Sequence, residues 1–177
     1  MHYEENEKGI LVPKHEIHGV GKYTGRIIRA GEVIDEFEYE NLVTNEGLNY
    51  TLNVALFGAT QLSAWYLGIF SGNYTPAATD TAATLPGNST ESSAYTSSTR
   101  PTWTPVAATG QSITNSAARA AFTFNATATI YGAFLVSSAT IGGTSGTSFS
   151  AARFSTSKNV VALDELLLTY TFSASSS

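Results

Sequence analysis

The chain contains no cysteine among its 177 residues. This absence excludes a disulfide framework, a zinc site built from cysteine and a thiol nucleophile. Charge is also scarce, because only 13% of the residues are charged and the formal net charge is −5. Proteins that bind nucleic acid neutralise its phosphates with a basic surface, so the sequence predicts no direct nucleic-acid partner.

The chain also lacks long apolar runs and the motifs of common enzymes. No run approaches the roughly 18 residues of a membrane-spanning helix, so we predict no membrane partner. There is no G-x-S-x-G elbow, and the glycine-rich stretches lack the lysine of a phosphate-binding loop. Asp164 and Glu165 are adjacent carboxylates beside a turn, where we expect a solvated corner. The sequence therefore predicts no enzyme, no catalytic residues and no cofactor.

Three histidines, His2, His15 and His18, all lie in the polar N-terminal segment. His15 and His18 are three residues apart, and Glu16 lies between them. A closed metal site needs about four ligands, and the chain has no histidine outside this segment. We therefore predict no metal site.

A predicted helix and a predicted strand occupy the most apolar part of the sequence. The helix covers about residues 45–57, since Thr44 or Asn45 can cap its start and Gly58 can end it. Its apolar positions recur every four residues and predict one buried stripe. They are Leu48, Leu52 and Leu56. Residues 64–70 read AWYLGIF, an aromatic and β-branched run that predicts a buried strand.

Residues 1–40 carry nine acids and five bases, and we expect them to form an N-terminal arm that ends in a β-hairpin. Ala30 and Gly31 form the tight turn between its two strands. The second strand has one acidic face and the first carries two arginines, so cross-strand ion pairs are expected. The candidate interaction residues here are Arg26, Arg29, Glu36 and Glu38. The arm is expected to contact a partner, while residues 41–177 form a β-sandwich domain.

A long connection, residues 71–102, is rich in Ser, Thr, Ala, Pro and Gly. A loop of this length is uncommon, and two interpretations are open. It could be a segment that a partner orders, with Tyr74 and Tyr95 as contact residues. It could equally be an Ω-like loop that packs on its own sheet. Tyr74, Tyr95 and Trp103 could also form a platform for stacking sugars, although aromatic residues in strands are more often core.

From about residue 103 the chain alternates short apolar runs with turn residues. Residues 126–138 form one such run, which we expect to be buried on both faces. Residues 166–172 alternate cleanly between two faces. Strands at this spacing indicate an antiparallel β-sandwich or a jelly-roll-like fold. The predicted fold is therefore mainly β, with one short helix and an N-terminal β-hairpin arm.

Five stretches, taken in order, resemble a small structural protein encoded among the head genes of tailed bacteriophages. They are NLVTNEGLNYTLNVALFG, WYLGIFSGNYTPAATDT, TRPTWTP, ATIYGAFLVSSATIGGTSG and NVVALDELLLTYTF. Such proteins are similar in role to capsid decoration, or cement, proteins. The resemblance covers roughly residues 22–172 and carries over no site residues.

The resemblance implies a non-enzymatic virion protein that decorates and reinforces the capsid. Its implied partners are the major capsid protein and copies of itself, as a homo-oligomer on the capsid surface of a virion assembled in the host cytoplasm. The scarcity of charge agrees with this, since a surface covered by partners does not need charge to stay soluble. The alternative is a tail, collar or fibre-associated virion protein that could act as an adhesin for host glycans.

Overall fold

The computed structural model describes residues 3–5, 7–13 and 17–176. Within these ranges the strands are β1 (Tyr3–Glu5), β2 (Leu11–Pro13), β3 (Ile17–Arg29), β4 (Glu32–Glu40), β5 (Leu42–Val43), β6 (Trp65–Phe70), β7 (Thr102–Trp103), β8 (Ser112–Thr114), β9 (Ala120–Thr123), β10 (Ala128–Val136), β11 (Ser148–Val160) and β12 (Glu165–Ser176). Helix α1 spans Asn45–Leu52 and continues as a π-helical stretch over Asn53–Phe57. Helix α2 spans Leu85–Ser89.

Two antiparallel five-stranded sheets pack face to face as a sandwich. The first sheet has the order β5-β11-β10-β6-β7. The second has the order β4-β3-β12-β8. β9 is its fifth strand, and β8 and β9 pair with different parts of the same edge of β12. β1 and β2 pair with each other as a separate two-stranded sheet. The predicted mainly β sandwich is therefore confirmed.

The main core lies between the two sheets, where side chains of β3 and β12 meet those of β6, β10 and β11. Tyr23 and Tyr170 are fully buried there, with their ring centroids 4.7 Å apart. The hydroxyl oxygens of Tyr23 and Ser150 are 2.8 Å apart, a hydrogen bond that joins the two sheets. Trp103 Nε1 donates to the Tyr170 carbonyl oxygen at 3.1 Å and forms a second link between them. Both bonds satisfy polar atoms that the sandwich buries.

The predicted hairpin is present, but it belongs to the sandwich. Ala30 and Gly31 form its turn with φ angles of 50° and 85°, the left-handed pair that a tight two-residue hairpin needs. β3 then pairs with β12 over twelve residue pairs. Tyr23 and Ile27 of β3 lie in the main core, with 0% and 2% exposure. The expectation of an arm that projects from the sandwich is corrected for this reason, because a boundary after residue 40 would separate β3 from β12.

Helix α1 begins and ends near the predicted residues. Thr44 Oγ1 accepts a hydrogen bond from the Gly47 backbone nitrogen at 3.1 Å, as an N-cap side chain does. Gly58 ends the π-helical stretch with a left-handed φ of 75°. Gly47 lies so close to β11 that a Cβ there would be 2.5 Å from the Phe149 carbonyl oxygen. The absence of a side chain at Gly47 therefore allows the helix to rest on the sheet.

The apolar stripe of α1 is exposed, so the prediction that it is buried is wrong. Its residues are Leu48 (47% exposed), Leu52 (56%) and Leu56 (82%). The helix contacts the sandwich through another face, which contains Gly47 and Tyr50. The Tyr50 ring lies edge-on to Trp65, with centroids 5.1 Å apart. Periodicity predicts that a helix has an apolar stripe, but it does not say which face has a neighbour.

Part of the segment 71–102 packs on the outer side of the first sheet, as expected of a loop that covers its own sheet, whereas Tyr95 of the same segment lies in the main core. Ala82 and Leu85 contact apolar side chains that the sheet turns outward, and together they form a second, smaller core. The sheet contributes Phe70, Phe134, Val136 and Ala151 to it. β10 supplies side chains to both cores, so the expected burial of residues 126–138 on both faces is confirmed for the strand.

Candidate functional site

The outer side of the second sheet, here called the open face, carries three of the predicted interaction residues. It consists of Lys22, Thr24 and Arg26 of β3, Glu36 and Glu38 of β4, and Leu167, Thr169 and Thr171 of β12. Arg26 lies directly opposite Glu36 and pairs with it, and Lys22 Nζ lies 2.9 Å from Glu38 Oε2. The pair of Arg26 confirms the expected cross-strand ion pairing for one of the two arginines, and the pair of Lys22 with Glu38 adds a second cross-strand ion pair. The four charged side chains are 45–58% exposed and are therefore accessible to a partner.

A shallow groove of about 390 Å³ crosses the open face. Its lining includes Arg26 and Glu36 from the hairpin and Arg119 from the β8–β9 connection, with Leu167 of β12 between them. Both signs of charge are therefore present in one groove. Single exposed ion pairs contribute little binding free energy, so the groove suits many repeated contacts better than one tightly bound small ligand.

Arg29, the fourth predicted residue of the hairpin, fixes a corner of the sandwich. Its guanidinium donates to the two carboxylate oxygens of Asp164 at 2.8 and 2.7 Å. Asp164 is 1% exposed and also accepts a hydrogen bond from the Val161 backbone nitrogen at 2.8 Å. The prediction of a solvated corner is therefore wrong for Asp164, whereas Glu165 is partly exposed. The hydrogen bonds from Arg29 hold the pKa of Asp164 below its usual value, so the carboxylate stays charged in this buried position.

The two predicted contact tyrosines of residues 71–102, here called the covering segment, are in different environments. Tyr74 is half-buried, and its hydroxyl donates to the Asp80 carboxylate, with oxygen distances of 2.9 and 3.0 Å. Tyr95 is 3% exposed and packs edge-on against Phe122, with ring centroids 5.1 Å apart. Burial raises the pKa of the Tyr95 hydroxyl well above its ordinary value. Tyr95 is thus a core residue, which corrects its assignment as a contact residue.

The structure exposes an apolar surface that we expected to be part of the core. This surface, here called the apolar tip, consists of Leu48, Leu52, Leu56 and Phe57. Phe57 is 84% exposed at the end of the helical segment. Residues 47–79 contain no charged residue, so the tip stands in an uncharged region of the chain. The sequence alone could not identify this surface, because buried and exposed stripes have the same spacing.

An apolar pocket of about 260 Å³ opens at the foot of the helix. Its lining, here called the aromatic pocket, includes rings from α1 and from both sheets: Tyr50, Trp65, Trp103, Phe149 and Phe172. The chain returns from the apolar tip at Leu62, whose backbone nitrogen donates to the Tyr50 hydroxyl at 3.0 Å. Leu62 also lines the pocket, so the tip and the pocket lie at the same end of the sandwich.

Within the described ranges, no group of three or more His, Asp or Glu side chains is placed to hold a metal ion. The candidate metal ligands His15 and Glu16 lie outside those ranges, as does His2. No helix in the described part of the chain is long and apolar enough to cross a membrane. No protein-family model matches the sequence, and no curated protein matches it significantly.

Proposed function

We propose that the chain is a non-enzymatic structural protein of a tailed-bacteriophage virion that binds and reinforces the capsid surface. The five stretches that resemble phage head-gene proteins include α1, β6, β7, β10 and most of β12. They supply most of the first sheet and strand β12 of the second, but not β3 or β4 of the open face. Core-forming elements of this kind agree with a protein that acts through its surface and needs a rigid β core to present that surface.

The observation that carries this proposal is the open face. One sheet of the sandwich is covered by the chain's own residues 71–102, whereas the other presents Arg26, Glu36 and Glu38 on an accessible strand surface. A surface with both signs of charge can match a mixed-charge surface on another protein. Individually weak contacts of this kind become effective when many copies bind to one shell.

The alternative of a glycan adhesin rested on exposed aromatic side chains. Tyr95 is 3% exposed and Trp103 is 8% exposed, so neither offers a ring face for stacking against a sugar. Tyr74 remains half-buried beside Asp80. These positions weigh against an adhesin that uses this set of residues, and the capsid-binding proposal is preferred.

The test is a binding experiment on capsids of the phage that encodes the chain, prepared without it. Purified protein should co-sediment with these capsids, and binding should weaken as salt is raised because exposed charges are screened. The double substitution Glu36→Lys and Glu38→Lys should reduce binding at least tenfold, a free-energy change of about 1.4 kcal/mol. Glu32→Lys, at the hairpin turn of the same strand, is the matched control and should bind normally.

Two results would contradict the proposal in different ways. If the double variant decorated capsids as well as the wild type, the open face would not be the capsid contact. If the wild-type protein bound isolated tails and not capsids, the tail or collar alternative would replace the decoration role.

A further inference from the structure

The apolar tip groups four exposed apolar side chains on one helical segment. Leu56 and Phe57 are 82% and 84% exposed, and Leu52 and Leu48, four and eight residues before Leu56, are 56% and 47% exposed. Single exposed apolar side chains are ordinary, whereas contiguous apolar patches mark contact sites. Because residues 47–79 carry no charge, the surface that meets the tip is recognised by shape and apolar contact.

The aromatic pocket is a matching concave surface at the same end of the molecule. Its volume of about 260 Å³ exceeds the roughly 150 Å³ of an apolar cavity that accepts benzene, so the pocket is large enough for a phenyl ring. The chain's own Phe57 does not fill it, since that side chain is almost fully exposed. One chain therefore carries both a projecting phenyl ring and an apolar cavity that can hold one.

We propose that the apolar tip of one copy inserts into the aromatic pocket of a second copy, with Phe57 as the anchor. Tip and pocket are adjacent on the same chain, so two copies related by a two-fold axis make the contact twice. The second copy is the occupant that the structure favours because the required cavity is present on the chain itself. This contact deepens the proposed self-association, and it does not require that the chain bind a capsid.

The area of the surface agrees with a dimer. The four side chains of the tip expose on the order of 400 Å² per copy, taking ~200 Å² for an aromatic ring and ~100 Å² for a leucine side chain. Two tips, together with the pocket walls that they cover, bury roughly 1,000 Å², which is the lower range of specific interfaces. We therefore expect a dimer that dissociates on dilution.

The pocket contains its own spectroscopic probe, because both tryptophans of the chain, Trp65 and Trp103, line it. The full chain is examined by sedimentation velocity and by tryptophan emission over a range of concentrations. We expect a monomer–dimer equilibrium, accompanied by a blue shift of the emission as the pocket fills and excludes water. The two transitions should occur at the same concentration.

Phe57→Asn removes the anchor and should weaken the dimer at least roughly 30-fold, the effect of a central interface residue. Leu163→Asn is the matched control, since Leu163 is also 84% exposed but lies in the β11–β12 turn. Its φ of 72° is one that asparagine tolerates, so the control should fold and dimerise normally.

A second variant tests the pocket independently of the tip. Ser63→Phe places a ring at the pocket lining and should also weaken the dimer. A mixture of Phe57→Asn with Ser63→Phe combines one intact tip with one intact pocket. We expect this mixture to recover mixed dimers more readily than either variant alone forms its own.

Three outcomes would overturn the inference. The first is a wild-type chain that stays monomeric, with emission independent of concentration, up to the highest soluble concentration. The second is a dimer that Phe57→Asn leaves intact. The third is equal weakening by Phe57→Asn and Leu163→Asn. Failure of capsid binding, in contrast, would leave the dimer result unchanged and would bear only on the proposed function.

Discussion

The outer sides of the two sheets differ, although both sheets belong to one sandwich. The first sheet turns Phe70, Phe134 and Val136 outward, and residues 71–102 cover them. The second sheet turns Arg26 and Glu36 outward, and both remain about half exposed. The difference follows from the residues that alternate with the core positions. An apolar outer row needs a cover, whereas a charged outer row is already compatible with water.

Ion pairs on the two sides show the same contrast. Arg100 and Glu91, within the covering segment, pair through two hydrogen bonds of 2.7 Å, and their side chains are 0% and 2% exposed. Arg100 also donates to the Ser138 carbonyl oxygen at 2.8 Å, so the pair ties the segment to the loop after β10. Arg26 and Glu36 form their pair in solvent. The buried pair fixes a structure, and the exposed pair presents charge.

The largest effect is expected when the buried pair is broken. Arg100→Leu leaves Glu91 buried without its cation and should lower the free energy of unfolding by about 3–5 kcal/mol. Arg26→Leu, the matched change on the open face, should lower it by less than about 1 kcal/mol. Urea unfolding of both variants measures the difference. Equal losses would show that the two sides of the sandwich do not differ as described.

A pair of leucine substitutions compares packing on the two sides. Leu85→Ala removes a side chain that is 1% exposed in the second core, and should lower the free energy of unfolding by about 2–5 kcal/mol. Leu167→Ala on the open face removes a half-buried side chain and should cost about 1 kcal/mol or less. Hydrogen exchange of residues 71–102 should increase in the first variant only. Unchanged protection in Leu85→Ala would mean that the segment is held in some other way.

The third comparison concerns the pair of Arg29 and Asp164, in which one side chain is 44% exposed and the other 1% exposed. Its expected effect is smaller than that of breaking the fully buried pair. The pKa of Asp164 is lower in the folded chain than in the unfolded chain. The charged Asp164 therefore contributes to the free energy of unfolding at pH values above the ordinary carboxylate pKa of about 4. This contribution is lost as the pH falls through the lower pKa that Asp164 has in the folded chain. Asp164→Asn should destabilise by roughly 1 kcal/mol near neutral pH, because solvent screens the exposed partner.

Unfolding measurements at neutral and acidic pH provide the check on that pair. The difference between wild type and Asp164→Asn should shrink as the pH falls below about 4, since protonation removes the same charge that the substitution removes. A difference that stayed constant with pH would mean that Asp164 acts through its shape and its bond to Val161 alone.

Strand positions and caps could be predicted because they depend on neighbouring residues. The turn at Ala30 and Gly31, a helix cap at Thr44 or Asn45 and the helix end at Gly58 were predicted from local chemistry, as was cross-strand ion pairing in the hairpin. Each involves residues close in sequence or opposite one another in a hairpin. The burial of Tyr95 and the exposure of the leucines in α1 could not be predicted in this way, because each depends on a contact, or its absence, with distant parts of the chain.

The sequence by itself determined that the chain forms a β-sandwich with one capped helix, because alternation and capping act over a few residues. Tertiary structure decided which apolar residues became core and which became surface. Gly47 brings one face of α1 onto β11 and leaves Leu52 and Leu56 outside. The tertiary structure also placed β3 inside the second sheet, beside β12, and folded part of residues 71–102 over the first sheet. Burial is a property of the whole fold, since a side chain leaves water only where another part of the chain covers it.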